Sequence, residues 1–269
     1  MSVPPINAVP MDRQVGRSAF GVDAKGYDEA RSGYPAELFD LLASRTVPEP
    51  RVAEIGSGTG LASQGLFGLS PTQMTMIEPD PRLCAFLEQR FARPDARVIC
   101  APFPDVDIEG EFDLIACTAA FHWMDPAPAL AKVKSLLAPG GVWAMWWNSY
   151  FGHGEADAFA EQVSRILSEE GVILPPSYVG RKHYAFDAEH HLSTIRDAGF
   201  GETEHVVFHT PRAYTATQAV DLYRSFSFIT VLPENDQDRI LQRIANIVDS
   251  ELNGVALSMY ATSIFVSTI

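Results

Sequence analysis

Val52-Ala53-Glu54-Ile55-Gly56-Ser57-Gly58-Thr59-Gly60-Leu61 decides how the rest of the chain is read. The apolar run from Arg51 to Ile55 predicts a short buried strand, and Leu61–Leu69 predicts a helix. Between them, glycines at alternate positions allow positive φ and a close approach of backbone to a ligand. A helix beginning there has unpaired N–H groups at its first turn. Strand, glycine turn and helix together predict a nucleotide-type pocket at the carboxyl end of a parallel strand.

The spacing is Gly-x-Gly-x-Gly, with Glu54 two residues before the first glycine. Met74-Thr75-Met76-Ile77-Glu78 predicts a second strand that ends in an acid, where a carboxylate suits a pair of ribose hydroxyls. Asp80-Pro81 then supplies an N-cap and a first-turn proline for a helix carrying Leu83, Phe86, Leu87 and Phe91. Ala96–Cys100 predicts a third strand and Phe112–Thr118 a fourth, which continues into Ala119-Ala120-Phe121-His122-Trp123. A helix from Pro126 is stopped by Ala138-Pro139-Gly140-Gly141, and Val142–Trp147 predicts strand five.

With the triplet, both acids, Phe-Asp-Leu-Ile and Phe-His-Trp on the page, the chain resembles the class I S-adenosylmethionine (SAM)-dependent methyltransferases. Within them it is similar to the type-11 small-molecule group that includes trans-aconitate methyltransferases. The resemblance is firm from Tyr27 to Asn148 and looser beyond. It implies an α/β, Rossmann-like, doubly wound seven-stranded sheet, mostly parallel with the last strand antiparallel, and an inserted helical cap. It also implies one domain over residues 1–269: an N-terminal arm and lid helix to residue 45, a cofactor-binding core over 46–150, and cap, late helices and final strands over 151–269.

The implied cofactor is SAM, with S-adenosylhomocysteine (SAH) as product. Gly56, Ser57, Gly58, Thr59 and Gly60 would pass beneath its amino-acid part, Glu54 would hold that loop or the amino group, and Glu78 with Pro79 would meet the ribose. Ala101, Pro102 and Phe103 fall in the loop expected at the adenine; many relatives carry an acid at the first two positions, and this chain does not. Thr118, Ala119, Ala120, His122 and Trp123 fall where the methyl is delivered. The Tyr-Asp-x-x-Arg-x-x-Tyr-Pro phrase looks like the family's lid. Tyr27 and Arg31, four apart, share a helix face, where Arg31 could pair with the SAM carboxylate or simply be solvated.

His122 is either a general base or a wall of the cofactor pocket. Candidates for the acceptor site are Trp147, Asn148, Phe151, Tyr223, Phe226 and Ser227, and Trp146 points away from Trp147 by strand alternation. No metal-ligand spacing is present, and the His190-His191 pair reads as surface. Two rival readings are a protein that binds SAM without turnover and a nicotinamide-dependent dehydrogenase, which the glycine spacing disfavours.

Composition narrows the partners. A net charge of −14 and a sequence pI near 4.8 disfavour nucleic acid and anionic membranes, leaving a small-molecule acceptor. The start lacks a signal-peptide core and no apolar run spans a membrane, so the expected location is the cytoplasm. Three cysteines, Cys84, Cys100 and Cys117, without a C-x-x-C pair, read as buried thiols. The oligomeric state is not legible.

Overall fold

A computed structural model of the 269-residue chain describes Gly26, Asp28 and residues 30–150, 158–172 and 184–269. The N-terminal arm, Tyr27 and Phe151 lie outside the described residues. The elements in chain order are α1 (Ala36–Arg45), β1 (Arg51–Ile55), α2 (Leu61–Leu66), β2 (Gln73–Glu78), α3 (Pro81–Arg90), β3 (Ala96–Cys100), β4 (Phe112–Thr118), α4 (Pro126–Leu136) and β5 (Leu137–Ser149). They continue with α5 (Ala158–Glu169), α6 (Ala188–Asp197), β6 (Thr203–Tyr214), α7 (Ala216–Arg224), α8 (Ser227–Thr230), α9 (Glu234–Asn246) and β7 (Ala256–Thr268).

The strands form a seven-stranded sheet in the order β3-β2-β1-β4-β5-β7-β6. The β1–β2, β1–β4, β2–β3 and β4–β5 pairs are parallel. The last strand runs antiparallel: Gly201 N–H, just before β6, reaches the carbonyl of Thr268 at the end of β7 (2.8 Å), and Ile269 N–H reaches Gly141 near the start of β5 (3.3 Å). The strand order reverses between β1 and β4, so the carboxyl ends of those strands open a crevice of the kind that takes ligands in doubly wound sheets. This is the Rossmann-like arrangement expected from the sequence.

The chain divides into two compact units. The sheet unit comprises Gly33–Asn148, Tyr184–Phe208 and Thr262–Ile269. Strand alternation gives it two apolar layers. Ala53, Ile55, Ile115, Cys117, Trp143, Met145 and Trp147 face one, and Val52, Leu114, Ala116, Val142, Ala144 and Trp146 the other. The two tryptophans of the β5 end do face opposite ways. The helical unit comprises Met1–Ser32, Ser149–His183 and His209–Ala261. Its core joins Phe159, Val163 and Ile166 of α5 to Leu222 and Tyr223 of α7 and Ile240, Leu241 and Ile244 of α9, each set at helical spacing.

Several boundaries differ from those expected. Pro139-Gly140-Gly141 ends α4 but belongs to β5, which therefore starts at Leu137; Gly140 has φ +76°, and the β4–β5 register shifts between Phe112 and Leu114. Phe226 turns extended (φ −84°, ψ 136°) and so separates α7 from α8. The long last helix loosens into a π-turn from Ile247. The thiol reading fails for two cysteines: Cys84 and Cys100 are disulfide-bonded with Cα atoms 5.8 Å apart, because α3 returns its first turn beside the end of β3. Cys117 remains a buried free thiol.

Candidate active site

β1 delivers Glu54 and the glycine turn to the same point. Gly56, Gly58 and Gly60 have φ of +72°, +58° and +86°, the left-handed region that side chains disfavour. Their surroundings differ. A Cβ on Gly56 would lie 2.3 Å from Cβ of Ala120, and one on Gly60 would meet the Phe91 ring at 2.4 Å. A Cβ on Gly58 would meet nothing within 4 Å. Gly56 and Gly60 are thus held by packing, while Gly58 borders open space of the sort a ligand can enter.

The turn's own N–H groups are largely engaged. Gly56 and Ser57 donate to the Ile77 carbonyl (2.8 and 3.2 Å), Gly60 donates to Ser57 (2.9 Å), and Gly58 donates to Oε2 of Glu78 (2.9 Å). Arg90 braces the turn from outside through the Thr59 carbonyl (3.0 Å). A pyrophosphate cradle needs such N–H groups pointing at the ligand. Here four of the five from Gly56 to Gly60 are bound to protein oxygens, which suits a ligand without phosphates better than a dinucleotide.

Glu78 closes β2 and is 6% exposed. Its second oxygen, Oε1, accepts from Asp80 N–H (3.0 Å), so the carboxylate bridges the glycine turn and the N-cap of α3. Burial raises its pKa, and the two N–H donors oppose that rise. A carboxylate offers about four acceptor positions; with one taken on each oxygen, each keeps capacity for a hydroxyl. Pro79 beside it is half-buried.

Glu54 is fully buried beneath the turn. Ser63 of α2 donates to its Oε2, whereas Oε1 and the Thr118 hydroxyl, though close enough for Thr118 to favour the carboxylate, make no well-formed hydrogen bond. Burial pushes its pKa up to about 7, against the partial opposition of Ser63, Ser57 and Thr118. A carboxyl with a raised folded-state pKa stabilises the fold most below its unfolded value, and that advantage disappears as pH rises through about 7. The ionised form therefore costs about 3 kcal/mol. Glu54→Gln is expected to melt with the parent near pH 4.5 and to be more stable by about 1–3 kcal/mol at about pH 8, as read by thermal unfolding at both pH values.

After β4 the chain turns sharply. Ala119 has φ +50°, unusual for a residue with a side chain, and is held there by its N–H on the Trp146 carbonyl (2.8 Å). Such strained positions concentrate at functional sites. The turn seats Ala120 against Gly56 and leads into a 3-10 turn, Phe121–Trp123. His122 is half-buried, packs on Trp123 (4.6 Å between rings), and its Nδ1 accepts from Nε1–H of Trp147 (3.3 Å). That bond assigns the proton of the neutral ring to Nε2.

Two residues at this corner were not foreseen. His191, expected at the surface, is 1% exposed and stacks on Trp147 (5.2 Å, 18°). Its Nε2 pairs with the Tyr184 carbonyl (2.7 Å), and burial lowers its pKa to about 4. The Tyr184 ring lies edge-on to Trp147 (5.4 Å). Neither residue sits near the motifs in sequence; α6 and the turn before it bring them in. The helical spacing of Ala188, His191, Leu192 and Ile195 is the one local signal, and it bears on His191 alone.

Other candidates are placed as follows. Phe103, expected at an adenine, is 4% exposed, with its ring in the core beneath the Lys132 ammonium (5.1 Å); Ala101 and Pro102 are half-buried. The Asn148 amide donates to Gly33 (3.2 Å) and accepts from Thr262 (2.6 Å), and so ties the chain together. Arg31, Tyr223, Phe226 and Ser227 belong to the helical unit. There the Arg31 guanidinium lies over Phe226 (4.2 Å) and donates to the Ser225 carbonyl (3.2 Å), Tyr223 and Phe226 are core residues, and Ser227 is half-buried. No cluster of metal-binding side chains occurs among the described residues.

Comparison with known proteins agrees with this geometry. Residues 53–145, from β1 into β5, match a methyltransferase domain family. Those residues carry a class I methyltransferase domain. An uncharacterized methyltransferase-like protein of Schizosaccharomyces pombe is 26% identical over 96% of this chain and 98% of its own length. A malonyl-[acyl-carrier protein] O-methyltransferase of Anoxybacillus flavithermus is 25% identical over 70% of this chain and 77% of its own. Among solved structures, a proposed type II methyltransferase of Anaeromyxobacter dehalogenans shares the fold with a TM-score of 0.62 at 19% identity, covering 88% of this chain and 97% of that one. Among the described residues, no helix is long and apolar enough to cross a membrane.

Proposed function

We propose that the protein is a cytoplasmic enzyme that uses SAM to methylate an oxygen, nitrogen or carbon atom of a small molecule, with a carboxylate as the leading acceptor class. One observation carries the cofactor reading: the Glu78 carboxylate grips Gly58, whose own side is open, on a turn whose N–H groups are otherwise engaged. That arrangement fits a nucleoside without phosphates. The buried Glu54 Oε1 and Thr118 hydroxyl, neither in a well-formed hydrogen bond, fit the ammonium end of such a cofactor.

When bound, SAM supplies a methyl group on a sulfonium, which passes to the acceptor's electron pair as the C–S bond breaks and leaves SAH. The chain's residues have holding work to do. Glu78 takes the ribose hydroxyls, Glu54 and Thr118 the amino group, and the turn at Ala119–Trp123 walls the delivery side. Alignment and exclusion of water can supply roughly 7–11 kcal/mol of barrier lowering at best, which explains a site without a nucleophile–base pair.

His122 serves as a wall in this reading. Its Nδ1 is occupied by the Trp147 donor and its Nε2 carries the proton, so accepting another proton requires breaking the Trp147 bond. A carboxylate acceptor needs no base, and the O-methyltransferase relative named above acts on an acyl-carrier-bound malonyl group. The rate with saturating substrate is therefore expected to stay flat from about pH 6 to 8; a rise with the slope of a single ionising histidine would restore the base role. The function itself is tested by incubating the protein with methyl-labelled SAM and a metabolite extract. Label should move into a small molecule. SAH binding without transfer would favour a non-catalytic SAM-binding protein, and binding of NADH in place of SAH a dehydrogenase.

A further inference from the structure

Both cysteines of the disulfide neighbour Glu78. Cys84, in the first turn of α3 and 4% exposed, has Sγ 3.2 Å from the Glu78 backbone carbonyl. Cys100 ends β3 directly opposite Glu78 in the parallel β2–β3 register. It is exposed, and β3 is the edge strand of the sheet, so a small thiol or disulfide can reach it. The bond ties the first turn of α3, which follows the Asp80 N-cap whose N–H holds Oε1, to the end of β3, which pairs with Glu78 in the sheet and leads into Ala101.

We infer that Cys84 and Cys100 form a reversible redox modification site that sets cofactor affinity at Glu78. The inference rests on the SAM reading above. Disulfides in reducing compartments are characteristically transient or sensing, and this one joins parts of the ribose-side wall. Closure proceeds by exchange with a low-molecular-weight disulfide such as oxidised glutathione. The Cys100 thiolate attacks one of its sulfurs and displaces a thiolate. Cys84 then attacks Sγ of Cys100 and displaces the second. The two protons released by the cysteines end on the two glutathione thiols.

The two states hold Glu78 differently. In the dithiol the Cys84 S–H can donate to the Glu78 carbonyl; in the disulfide that proton is gone and a covalent tie replaces a weak hydrogen bond. The tie restricts both flanking segments before ligand arrives, so less ordering accompanies binding and the oxidised form binds more tightly. Cys117, fully buried and in neither segment, does not take part.

The test is calorimetric titration of SAH into the full chain equilibrated with oxidised or reduced glutathione, with thiol state read by alkylation and mass spectrometry. Oxidised protein is expected to bind at least threefold more tightly. The C84S/C100S double variant should bind like the reduced protein in both buffers. Equal affinities, or tighter binding by the reduced form, overturn the inference while leaving the cofactor reading in place. A disulfide that persists in excess reduced glutathione also overturns it. Absence of SAH binding in both states overturns the cofactor reading and the inference with it. The wild-type comparison decides the matter even if the double variant does not fold.

Discussion

Glu78→Ala is expected to weaken SAH binding by about 100-fold, with the melting temperature falling by only a few degrees. Hydrogen bonds to a charged acceptor contribute roughly 1.5–3 kcal/mol each, and about 2.7 kcal/mol corresponds to 100-fold. Two ribose hydroxyls would lose that acceptor. Water entering the space returns part of the loss, so the net effect is near that of one full bond. The same substitution also releases Gly58 N–H and Asp80 N–H, which Glu78 holds at 2.9 and 3.0 Å. Glu78→Gln separates these effects. Its amide oxygen can keep one backbone donor, but its NH2 group faces the other. Gln is therefore expected to lose at least tenfold in affinity with a smaller change in melting temperature than Ala. Calorimetry and thermal melts on both variants check this. Wild-type affinity in Glu78→Ala would remove the ribose from this carboxylate.

How much of the site could be read from sequence follows from the range of the interactions that build it. The glycine turn was legible because its cause is local: positive φ at Gly56, Gly58 and Gly60 is a backbone requirement that sequence displays directly. Glu78 was legible because a parallel β1–β2 pair places the ends of both strands side by side. The engagement of the turn's N–H groups by Ile77 and Glu78 was not, since it depends on the relative height of two strands. His191 and Tyr184 were missed for the same reason: they reach Trp147 through a segment some forty residues away, and the helical face that His191 shares with Leu192 and Ile195 does not say what it packs against. The disulfide was missed because an odd cysteine count argues against a disulfide framework but not against one pair. The break at Phe226 is not legible in sequence, because Thr217–Ile229 keeps helical apolar spacing across it. The extended residue there lets Phe226 stack on Phe228 (5.1 Å) and lie under Arg31, and that tertiary packing overrides local preference.

Gly56→Ala and Gly58→Ala are expected to part company, and the difference between them is the sharpest check on where the ligand lies. Both residues have positive φ, so each alanine incurs a backbone cost of about 1–2 kcal/mol. At Gly56 the added methyl also falls 2.3 Å from Cβ of Ala120, and overpacking of a buried site costs a further 1–3 kcal/mol or so. The Ala119–Ala120 turn cannot yield easily, because Ala119 is already left-handed and anchored to Trp146. Gly56→Ala should therefore lose about 2–5 kcal/mol of stability, visible as a reduced denaturant midpoint. At Gly58 the methyl meets nothing in the protein, so stability should fall only by the backbone term. The methyl would project into the open space beside the Glu78 carboxylate, where the cofactor is proposed to pass, and would also disturb the Gly58 N–H bond that orients that carboxylate. SAH affinity in Gly58→Ala should fall by at least tenfold, more than its stability loss explains. Replacing the methyl by the larger Val side chain should deepen the affinity loss. If Gly58→Ala folds and binds SAH like the parent, the open side of Gly58 is solvent and the cofactor runs elsewhere.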